Sequence, residues 1–383
     1  MNTNHLPWTR RAARMAAFCL ALAVMGAAVA DIQHVVVYDE EDRFGGWPAN
    51  HGIWIWENEI LFGFSAGHLQ RTDPDRHPID RDRPEEHMLA RSLDGGETWT
   101  IEKTDDLIPP PEPGHMAGVP TEEGGSEPVD FPGGLDFTQP DFAISFRMAS
   151  HHDGPSWFYY TEDRGHNWEG PFSLPDFDTP GVPARTDYIV NGPHDMFVFL
   201  TAAKPDGREG RPFVARTTDG AGSFEFVSWI MPEPQGFGIM PSSVRLDEET
   251  ILTSIRRREG PRRWIENFIS RDNAQSWESH GVAAPDVGRG NPPHMIELED
   301  GRLVLTYGHR AEPYGIRARI SDDRGDSWSD PIVLRDDAGD WDIGYPRTVQ
   351  RPDGKLVTVY YYNIEVDGER IIAATIWDPD AAE

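Results

Sequence analysis

Residues 92–99 read Ser92-Leu-Asp94-Gly-Gly96-Glu-Thr98-Trp99, which follows the pattern Ser/Thr-x-Asp-x-Gly-x-Ser/Thr-Trp. Four further copies, two of them degenerate, occupy Thr161–Trp168, Thr217–Phe224, Ser270–Trp277 and Ser321–Trp328. Their aspartates lie at 94, 163, 219, 272 and 323, at intervals of 69, 56, 53 and 51 residues. Self-similarity with a period in this range is typical of repeated supersecondary units.

The chemistry of the repeat predicts a folded turn. The aspartate side chain can accept hydrogen bonds from nearby turn N–H groups, two residues on. A glycine at the fifth position supplies a positive φ angle. The closing tryptophan then packs the turn onto a sheet. The repeat is therefore interpreted as a structural hairpin and not as a catalytic device.

Each copy is preceded by two apolar runs joined by a turn, as in His294–Leu298 and Arg302–Thr306 around Asp-Gly301. Such hairpins, closed by a fourth strand, predict a blade of about 50 residues. We expect an all-β fold: one six-bladed β-propeller domain with five such turns. The sixth blade, over residues 341–377, would be closed by the N-terminal strand Ile32–Tyr38. The irregular segments 70–87 and 103–134 are predicted to be loops over one face.

Composition narrows the classes of protein. The 383 residues contain 35 Lys+Arg and 65 Asp+Glu, a formal net charge of −30. Phosphate binding requires the opposite sign, so nucleic acid is an unlikely partner. Hydrophobic residues make up 38% and mean hydropathy is −0.56, which argues against a membrane protein.

The first 30 residues are typical of a secretory signal peptide. Arg10, Arg11 and Arg14 precede an apolar stretch from Met15 to Met25, and Ala28-Val29-Ala30 offers small residues at the cleavage site. We expect residues 1–30 to be removed and residues 31–383 to form a secreted or periplasmic domain without a membrane anchor. The one cysteine, Cys19, lies in this leader. The mature chain is therefore expected to contain neither disulfides nor metals bound by thiolates. We predict no cofactor and find no dedicated metal-binding motif in the sequence. The acid-rich loops leave open whether Ca²⁺ is bound.

Blade topology predicts where a site lies. The repeats join strands 3 and 4, so residues just before strand 1 and just after strand 2 line the opposite face. These positions hold the following candidates: Trp47, Asn50, His51 and His68 in blade 1; Asp136, Asp141 and Arg147 in blade 2; Arg185, Asp187 and Tyr188 in blade 3; Met240, Ser242, Arg256, Arg257, Arg258 and Glu259 in blade 4; Asn291, His309, Arg310 and Arg317 in blade 5; and Asp342, Tyr345 and Arg347 in blade 6. Arginines gathered around one axis of an acidic chain indicate an anion site, because the planar guanidinium binds two carboxylate oxygens at once.

The repeats, together with Arg185-Thr-Asp-Tyr188, Ile239-Met-Pro-Ser242, Tyr314-Gly-Ile-Arg317 and Asp342-Ile-Gly-Tyr-Pro-Arg347, resemble the secreted Asp-box (BNR-repeat) proteins of the sialidase-like superfamily. The resemblance implies a tyrosine nucleophile, which matches Tyr345, and arginines on a substrate carboxylate, which match Arg256 and either Arg310 or Arg317. It also implies an aspartate acid/base, for which Asp136, Asp141 and Asp187 are eligible. The family's first arginine is missing, because its place reads Pro48-Ala-Asn50-His51. The family's glutamate is replaced near Met240-Pro-Ser242; Glu259 is a possible substitute.

Three functions follow from these residues. The preferred hypothesis is an exo-acting glycoside hydrolase that binds a glycan or oligosaccharide and acts on terminal, acidic sugars. The alternative is a polysaccharide lyase that cleaves uronate-containing glycans by β-elimination, with His51 and either Tyr188 or Tyr345 exchanging protons near neutral pH. The third is a non-catalytic glycan-binding propeller.

Overall fold

The computed structural model describes residues 32–71, 73–83, 85–103, 106–107, 109–110, 125–152 and 154–381, so the expected signal peptide lies outside the described residues. These residues form 24 β-strands in six small sheets and one short 3₁₀ helix, Pro48–Asn50. The predicted all-β, six-bladed β-propeller is confirmed. No helix within these ranges is long and apolar enough to cross a membrane.

The first three blades contain the following strands. Blade 1 has β2 (Arg43–Gly46), β3 (Ile53–Trp56), β4 (Glu59–His68), β5 (Glu86–Ser92) and β6 (Thr100–Glu102). Blade 2 has β7 (Ala143–Met148), β8 (Ser156–Thr161) and β9 (Glu169–Leu174). Blade 3 has β10 (Tyr188–Gly192), β11 (Asp195–Ala203), β12 (Glu209–Thr217) and β13 (Glu225–Trp229).

The remaining blades complete the ring. Blade 4 has β14 (Phe237–Arg245), β15 (Ile251–Glu259), β16 (Arg262–Ser270) and β17 (Glu278–Ala284). Blade 5 has β18 (Pro293–Glu297), β19 (Leu303–His309), β20 (Gly315–Ser321) and β21 (Ile332–Arg335). Blade 6 has β22 (Gly344–Gln350), β23 (Leu356–Tyr362), β24 (Ile371–Trp377) and the N-terminal strand β1 (Gln33–Tyr38). Since β1 pairs antiparallel with β24, the predicted closure of the ring is confirmed.

The hydrophobic core lies between the faces of neighbouring blades. Along β4, Ile60, Phe62 and Phe64 pack against blade 6, while Leu61 packs against blade 2. This alternation follows from the two-residue period of a strand whose two faces are both covered. Each blade therefore depends on both of its neighbours for burial.

The five repeats form nearly identical turns on one face of the ring, here called the box face. Asp94 Oδ1 accepts the N–H of Thr98 at 2.9 Å, and Ser92 Oγ accepts the N–H of Gly96 at 2.8 Å. The expected positive φ occurs at the fifth position in every copy, including Ala221 (69°) and Ala274 (68°) in the degenerate ones. The aspartate accepts from N–H groups three and four residues on, which is one and two residues further than the sequence argument assumed.

Two blades depart from the expected four strands. In blade 1 the inner strand is divided, because β2 pairs with the end of β4 and β3 with its beginning. The 3₁₀ helix Pro48–Asn50 lies between the two halves. In blade 2 the described residues form three strands, and no inner strand precedes β7. The face opposite the boxes is here called the front face.

Candidate active site

The front face contains a bowl near the propeller axis, with a volume of about 330 Å³. Its walls come from blades 1, 3 and 6 and from two loops. It is lined by Trp47, Asn50, His77, Arg81, His151, Arg185, Glu209 and Tyr345. Of the residues predicted for the front face, Trp47, Asn50, Arg185 and Tyr345 therefore meet in one cavity.

Tyr345 enters the bowl from the first turn of β22. Its φ angle is 52° and it precedes Pro346, so the strand register shifts at this point. The same combination, a residue with positive φ followed by proline, occurs at Trp47 (φ 56°) and Met240 (φ 55°) in the inner strands of blades 1 and 4. Such local kinks turn a side chain away from the sheet and toward the axis.

A buried amide holds the backbone of Tyr345. Asn291 Oδ1 accepts the N–H groups of Tyr345 and Gly308, both at 3.0 Å, and its Nδ2 donates to the Ile343 carbonyl at 3.0 Å. A Cβ atom at Gly344 would lie 2.5 Å from Asn291 Nδ2, which explains why a glycine stands there. Asn291 was predicted to bind substrate; the structure instead places it, fully buried, beneath Tyr345.

Two arginines approach the hydroxyl and the ring of Tyr345. Arg256 Nη1 donates a hydrogen bond to the Tyr345 hydroxyl at 3.1 Å, and its Nε has no partner among the described residues. The guanidinium of Arg310 lies 5.4 Å from the centre of the Tyr345 ring. Arg256 of blade 4 and Arg310 of blade 5 thus both contact Tyr345 of blade 6, and these are the three residues predicted to share one site.

On the opposite wall, Arg185 is 9% exposed and directs its Nε to Asn50 Oδ1 at 3.1 Å. Its Nη1 also lies 3.1 Å from Glu209 Oε2. Glu209 is the bowl's carboxylate among the lining residues. Glu209 thus pairs with Arg185, and Arg81 pairs with Glu85 at 2.5 Å, which leaves Arg256 as the cation beside the bowl without an acidic partner among the described residues.

A buried ionic network lies beside the wall that carries Tyr345. The Asp342 carboxylate, fully buried, is 2.6 Å from His77 Nδ1 and accepts hydrogen bonds from the Tyr361 hydroxyl at 2.5 Å and from Arg370 Nε at 3.1 Å. Burial alone would raise the pKa of Asp342, but the charges of His77, Arg370 and Arg310 hold that pKa well below its usual range. Asp342 therefore stays ionised, and it is a support beneath the bowl and not one of its lining residues.

Sequence analysis missed the contribution of the strap, defined as residues 73–83 between β4 and β5. The strap crosses the front face and supplies His77 and Arg81. Its anchors are the Trp341 Nε1 to Pro74 carbonyl bond of 2.8 Å and the Arg289–Asp75 ion pair of 2.8 Å. The irregular, charged segment 70–87 was the available signal, but an irregular loop carries no period from which the direction of a side chain can be predicted.

The structure does not place His51 in the bowl, where the sequence predicted a catalytic role for it. It is 2% exposed, with Nε2 3.1 Å from Ser65 Oγ and its ring 4.9 Å from the ring of His87. Burial, together with the charge of Arg147, sets its pKa well below the usual range, so it is a neutral side chain between blades 1 and 2. It does not line the bowl.

Asp136 was eligible by loop position, but the structure places its loop on the box face. The preceding residues bond the repeat of blade 3, through Gly134 N–H to the Asp219 carbonyl at 2.8 Å. Asp136 itself accepts the N–H of Thr138 at 2.9 Å in a local turn. Asp141 lies on the same face, 2.6 Å from Arg164 Nε. Neither carboxylate reaches the bowl.

Asp187, Tyr188 and Arg347 lie deeper, along the axis. Asp187 and Tyr188 line a second cavity of about 290 Å³ toward the box face. Arg347 crosses the axis and donates from Nη2 to the carbonyls of Ala49 (2.8 Å) and Thr186 (2.7 Å). Arg347 therefore ties blades 1, 3 and 6 together beneath the bowl.

Four other side chains that were predicted to bind substrate do not line the bowl. Arg257 pairs with Glu266 at 3.1 Å, and Arg317 donates to the Arg335 carbonyl at 2.8 Å. His68 Nε2 is 3.1 Å from Arg43 Nη1. Arg147 is buried between blades 1 and 2, and its Nε and Nη2 have no hydrogen-bond partner among the described residues.

The bowl offers no metal-binding cluster. Within the part of the chain that the structure describes, no three His, Asp or Glu side chains are grouped so that they could hold a metal ion. The chemistry available is that of arginines, a tyrosine hydroxyl, an imidazole and a carboxylate. This set can bind an anion and exchange protons with it.

The fold and this bowl define a six-bladed β-propeller of the Asp-box type, with a cavity near its axis that is lined by arginines, a tyrosine and histidines. The family model described as "BNR repeat-like domain" matches residues 162–358. The chain belongs to the BNR repeat-like domain family. No curated protein matches this chain.

Solved structures share the fold. A protein of unknown function from Dyadobacter fermentans is 20% identical and superposes with a TM-score of 0.67 over 91% of this chain and 99% of that chain. The Trypanosoma rangeli sialidase in complex with sialic acid is 12% identical, with a TM-score of 0.55 over 90% of this chain and 58% of that chain. The Penicillium chrysogenum alpha-L-arabinanase complexed with arabinobiose is 12% identical, with a TM-score of 0.56 over 91% and 99% of the two chains. At these identities the likeness establishes the fold alone.

Proposed function

We propose that this protein is a carbohydrate-active enzyme, an exo-acting glycoside hydrolase that removes a terminal, acidic sugar from a glycan. One observation carries the proposal: Tyr345 lines the bowl, and Arg256 donates a hydrogen bond of 3.1 Å to its hydroxyl. A candidate nucleophile and a candidate carboxylate-binding group would thus be adjacent at a cavity whose volume falls within the usual range of about 300–1,000 Å³ for small-molecule sites.

Arg256 and Arg185 would bind the sugar carboxylate from opposite walls. Arg256 has no acidic partner among the described residues, so its charge would be available to a carboxylate bound beside the Tyr345 hydroxyl. In a chain with a formal net charge of −30, the arginines at the bowl would concentrate anionic ligands at this one place.

Tyr345 would act as the nucleophile or as the group that stabilises positive charge on the sugar. A neutral phenol suits an acidic sugar, because a carboxylate nucleophile would be repelled by the substrate's own charge. The proposal is supported by the fold shared with a sialidase that was solved with sialic acid and with an arabinanase that was solved with arabinobiose. We further propose that residues 1–30 direct export, which would give the enzyme access to extracellular glycans.

A β-elimination on a uronate is the second candidate. The observation in its favour is that an imidazole, His77, lines the bowl together with Tyr345 and the arginines. His51, which the sequence favoured for this role, is buried elsewhere. Arginines would neutralise the uronate and make its α-proton more acidic, and the imidazole could accept that proton.

The deciding experiment is a panel of oligosaccharides that end in acidic or neutral sugars, incubated with wild type and with Tyr345→Phe and followed by mass detection. Hydrolysis adds one water to the products, whereas elimination leaves an unsaturated uronate that absorbs in the ultraviolet. Tyr307→Phe is a matched control, because its hydroxyl bonds Arg319 outside the bowl. Binding of an acidic glycan with no turnover in wild type would favour the non-catalytic propeller and overturn the enzymatic proposal.

A further inference from the structure

We propose that His77 is the catalytic residue that transfers the proton to and from the glycosidic oxygen, and that Asp342 is the positioning residue that orients it. This inference rests on the hydrolase function proposed above and supplies its missing acid/base. The imidazole comes from the strap after blade 1, and the carboxylate comes from the start of blade 6.

The geometry of the pair is that of an oriented imidazole. His77 Nδ1 lies 2.6 Å from Asp342 Oδ1, and the imidazole is 29% exposed and lines the bowl, whereas the carboxylate is 1% exposed. The two nitrogens of the imidazole are separated by Cε1 and point in diverging directions, so Nε2 is directed away from Asp342. No described residue forms a hydrogen bond with Nε2.

Asp342 is held as an anion by its other partners. Tyr361 and Arg370 donate to it, and Arg310 Nη2 lies 3.7 Å from Oδ1. These contacts keep the pKa of Asp342 well below its usual range in spite of burial. The carboxylate beside Nδ1 holds the proton on that nitrogen and orients the ring.

Other charged and titratable groups surround the imidazole of His77, and they come from the strap and from blades 5 and 6. They are Arg81 and Asp75 on the strap, Arg289 and Arg310 from blade 5, and Asp340, Tyr345, Tyr361 and Arg370 from blade 6. The rings of Trp47 and Trp341 lie 5.4 Å and 5.6 Å from the imidazole. Asp342 is the carboxylate that contacts the imidazole directly.

The other acidic side chains that could serve as the acid/base either lie outside the bowl or are already paired with an arginine. Asp136 lies on the box face, and Asp187 lies along the axis below the bowl. Glu209 lines the bowl, but its carboxylate is paired with Arg185 Nη1 at 3.1 Å. An imidazole, in contrast, exchanges a proton near neutral pH.

The step balances without any further reactant. The protonated imidazole donates the Nε2 proton to the glycosidic oxygen while the bond from that oxygen to the anomeric carbon breaks, and the electron pair stays on the oxygen. Water then forms the new bond to the anomeric carbon and returns one proton to Nε2. The net result is the addition of one water across the glycosidic bond.

A purely structural role for His77 would be to anchor the strap. The strap is also anchored by the bond from Trp341 Nε1 to the Pro74 carbonyl and by the ion pair between Arg289 and Asp75. Trp341→Phe removes one of these anchors and keeps the ring, so it serves as the anchoring control.

The test is the pH profile of kcat/KM on the acidic glycan that wild type cleaves, measured for wild type, His77→Gln, Asp342→Asn and Trp341→Phe. We expect His77→Gln to lower kcat roughly 10²–10⁴-fold with a small change in KM and to lose the alkaline limb. Asp342→Asn should move that limb to lower pH, because the imidazolium loses its anion. Trp341→Phe should keep the wild-type profile.

Three outcomes overturn the inference. If wild type turns over an acidic glycan and His77→Gln keeps its rate and profile, the role of His77 is wrong while the hydrolase function stands. If wild type cleaves no glycan, both the proposed role of His77 and the proposed hydrolase function are wrong. Nuclear magnetic resonance titration of the His77 ring gives a readout that is independent of turnover. An unchanged titration midpoint in folded Asp342→Asn would contradict the positioning role.

Discussion

Arg256 and Tyr345, 89 positions apart in the chain, are joined by a hydrogen bond of 3.1 Å from the guanidinium Nη1 to the phenolic oxygen. Arg256 lies within the second strand of blade 4, and Tyr345 is the second residue of the first strand of blade 6. The bond therefore crosses the front of blade 5. It brings a cation and a candidate nucleophile to the same point of the bowl.

This relationship predicts that Arg256→Ala weakens an acidic ligand by about 2–5 kcal/mol, because a charged hydrogen-bond donor is removed from a partly buried site. Arg256→Lys should recover only part of the loss, since lysine lacks the planar fork. Isothermal titration with matched acidic and neutral sugars measures both. Arg257→Ala, which loses an ion pair with Glu266 outside the bowl, is the neighbouring control. Equal losses for acidic and neutral sugars would contradict the carboxylate role.

Trp168→Ala should lower the free energy of unfolding by about 3–5 kcal/mol, because a large buried side chain is removed from the core between blades 1 and 2. Its ring is 5% exposed, lies 5.5 Å from Trp54, and donates Nε1 to the Gly165 carbonyl. Trp328→Ala in the blade 5 repeat should lose less, since that ring is only partly buried. Urea denaturation gives both values. A loss of activity at unchanged stability would show that the repeat does more than pack.

Arg147→Met should leave the protein equally stable or stabilise it by about 1–4 kcal/mol. Arg147 is buried, two of its nitrogens have no hydrogen-bond partner among the described residues, and burial lowers its pKa to about 10. Arg91→Met is the contrasting variant, because Arg91 is equally buried but pairs with Glu59 at 2.6 Å and Glu102 at 2.7 Å. It should destabilise by about 3–5 kcal/mol. A large destabilisation by Arg147→Met in the same urea assay would mean that a partner holds the guanidinium.

Asp187 predicts a pH dependence of stability. Burial raises the pKa of Asp187 to about 7, against the opposing effects of Arg347 and Ser243. The folded-state pKa lies above the ordinary value of 3.8, so this group's contribution is fully present below that value and is lost as the pH rises through about 7. Relative to Asp187→Asn, wild type should therefore lose on the order of 3 kcal/mol between about pH 4 and pH 8. Parallel stability curves for the two proteins would show that Asp187 is ionised throughout.

The sequence by itself determined the architecture. The five repeats carry their own turn chemistry: an aspartate that bonds local N–H groups, a fifth position with positive φ, and a packed aromatic ring. These are interactions within eight residues, so the printed pattern is enough to predict them, and their spacing predicts the number of blades. Blade topology then placed Arg185, Arg256 and Tyr345 on one face, and the structure gathers them around one bowl.

Only the tertiary structure decided which polar residues reach the bowl. The position of a residue in a strand predicts which face its side chain occupies, but not what packs on that face. His51 and Arg147 are therefore buried between blades, and Asp342 is covered by Arg370 and Tyr361. The strap that delivers His77 has no period, because its path is set by contacts with blades 5 and 6 that lie more than 200 residues further along the chain. Local turns are encoded locally, whereas the site depends on which distant surfaces the closed ring brings together.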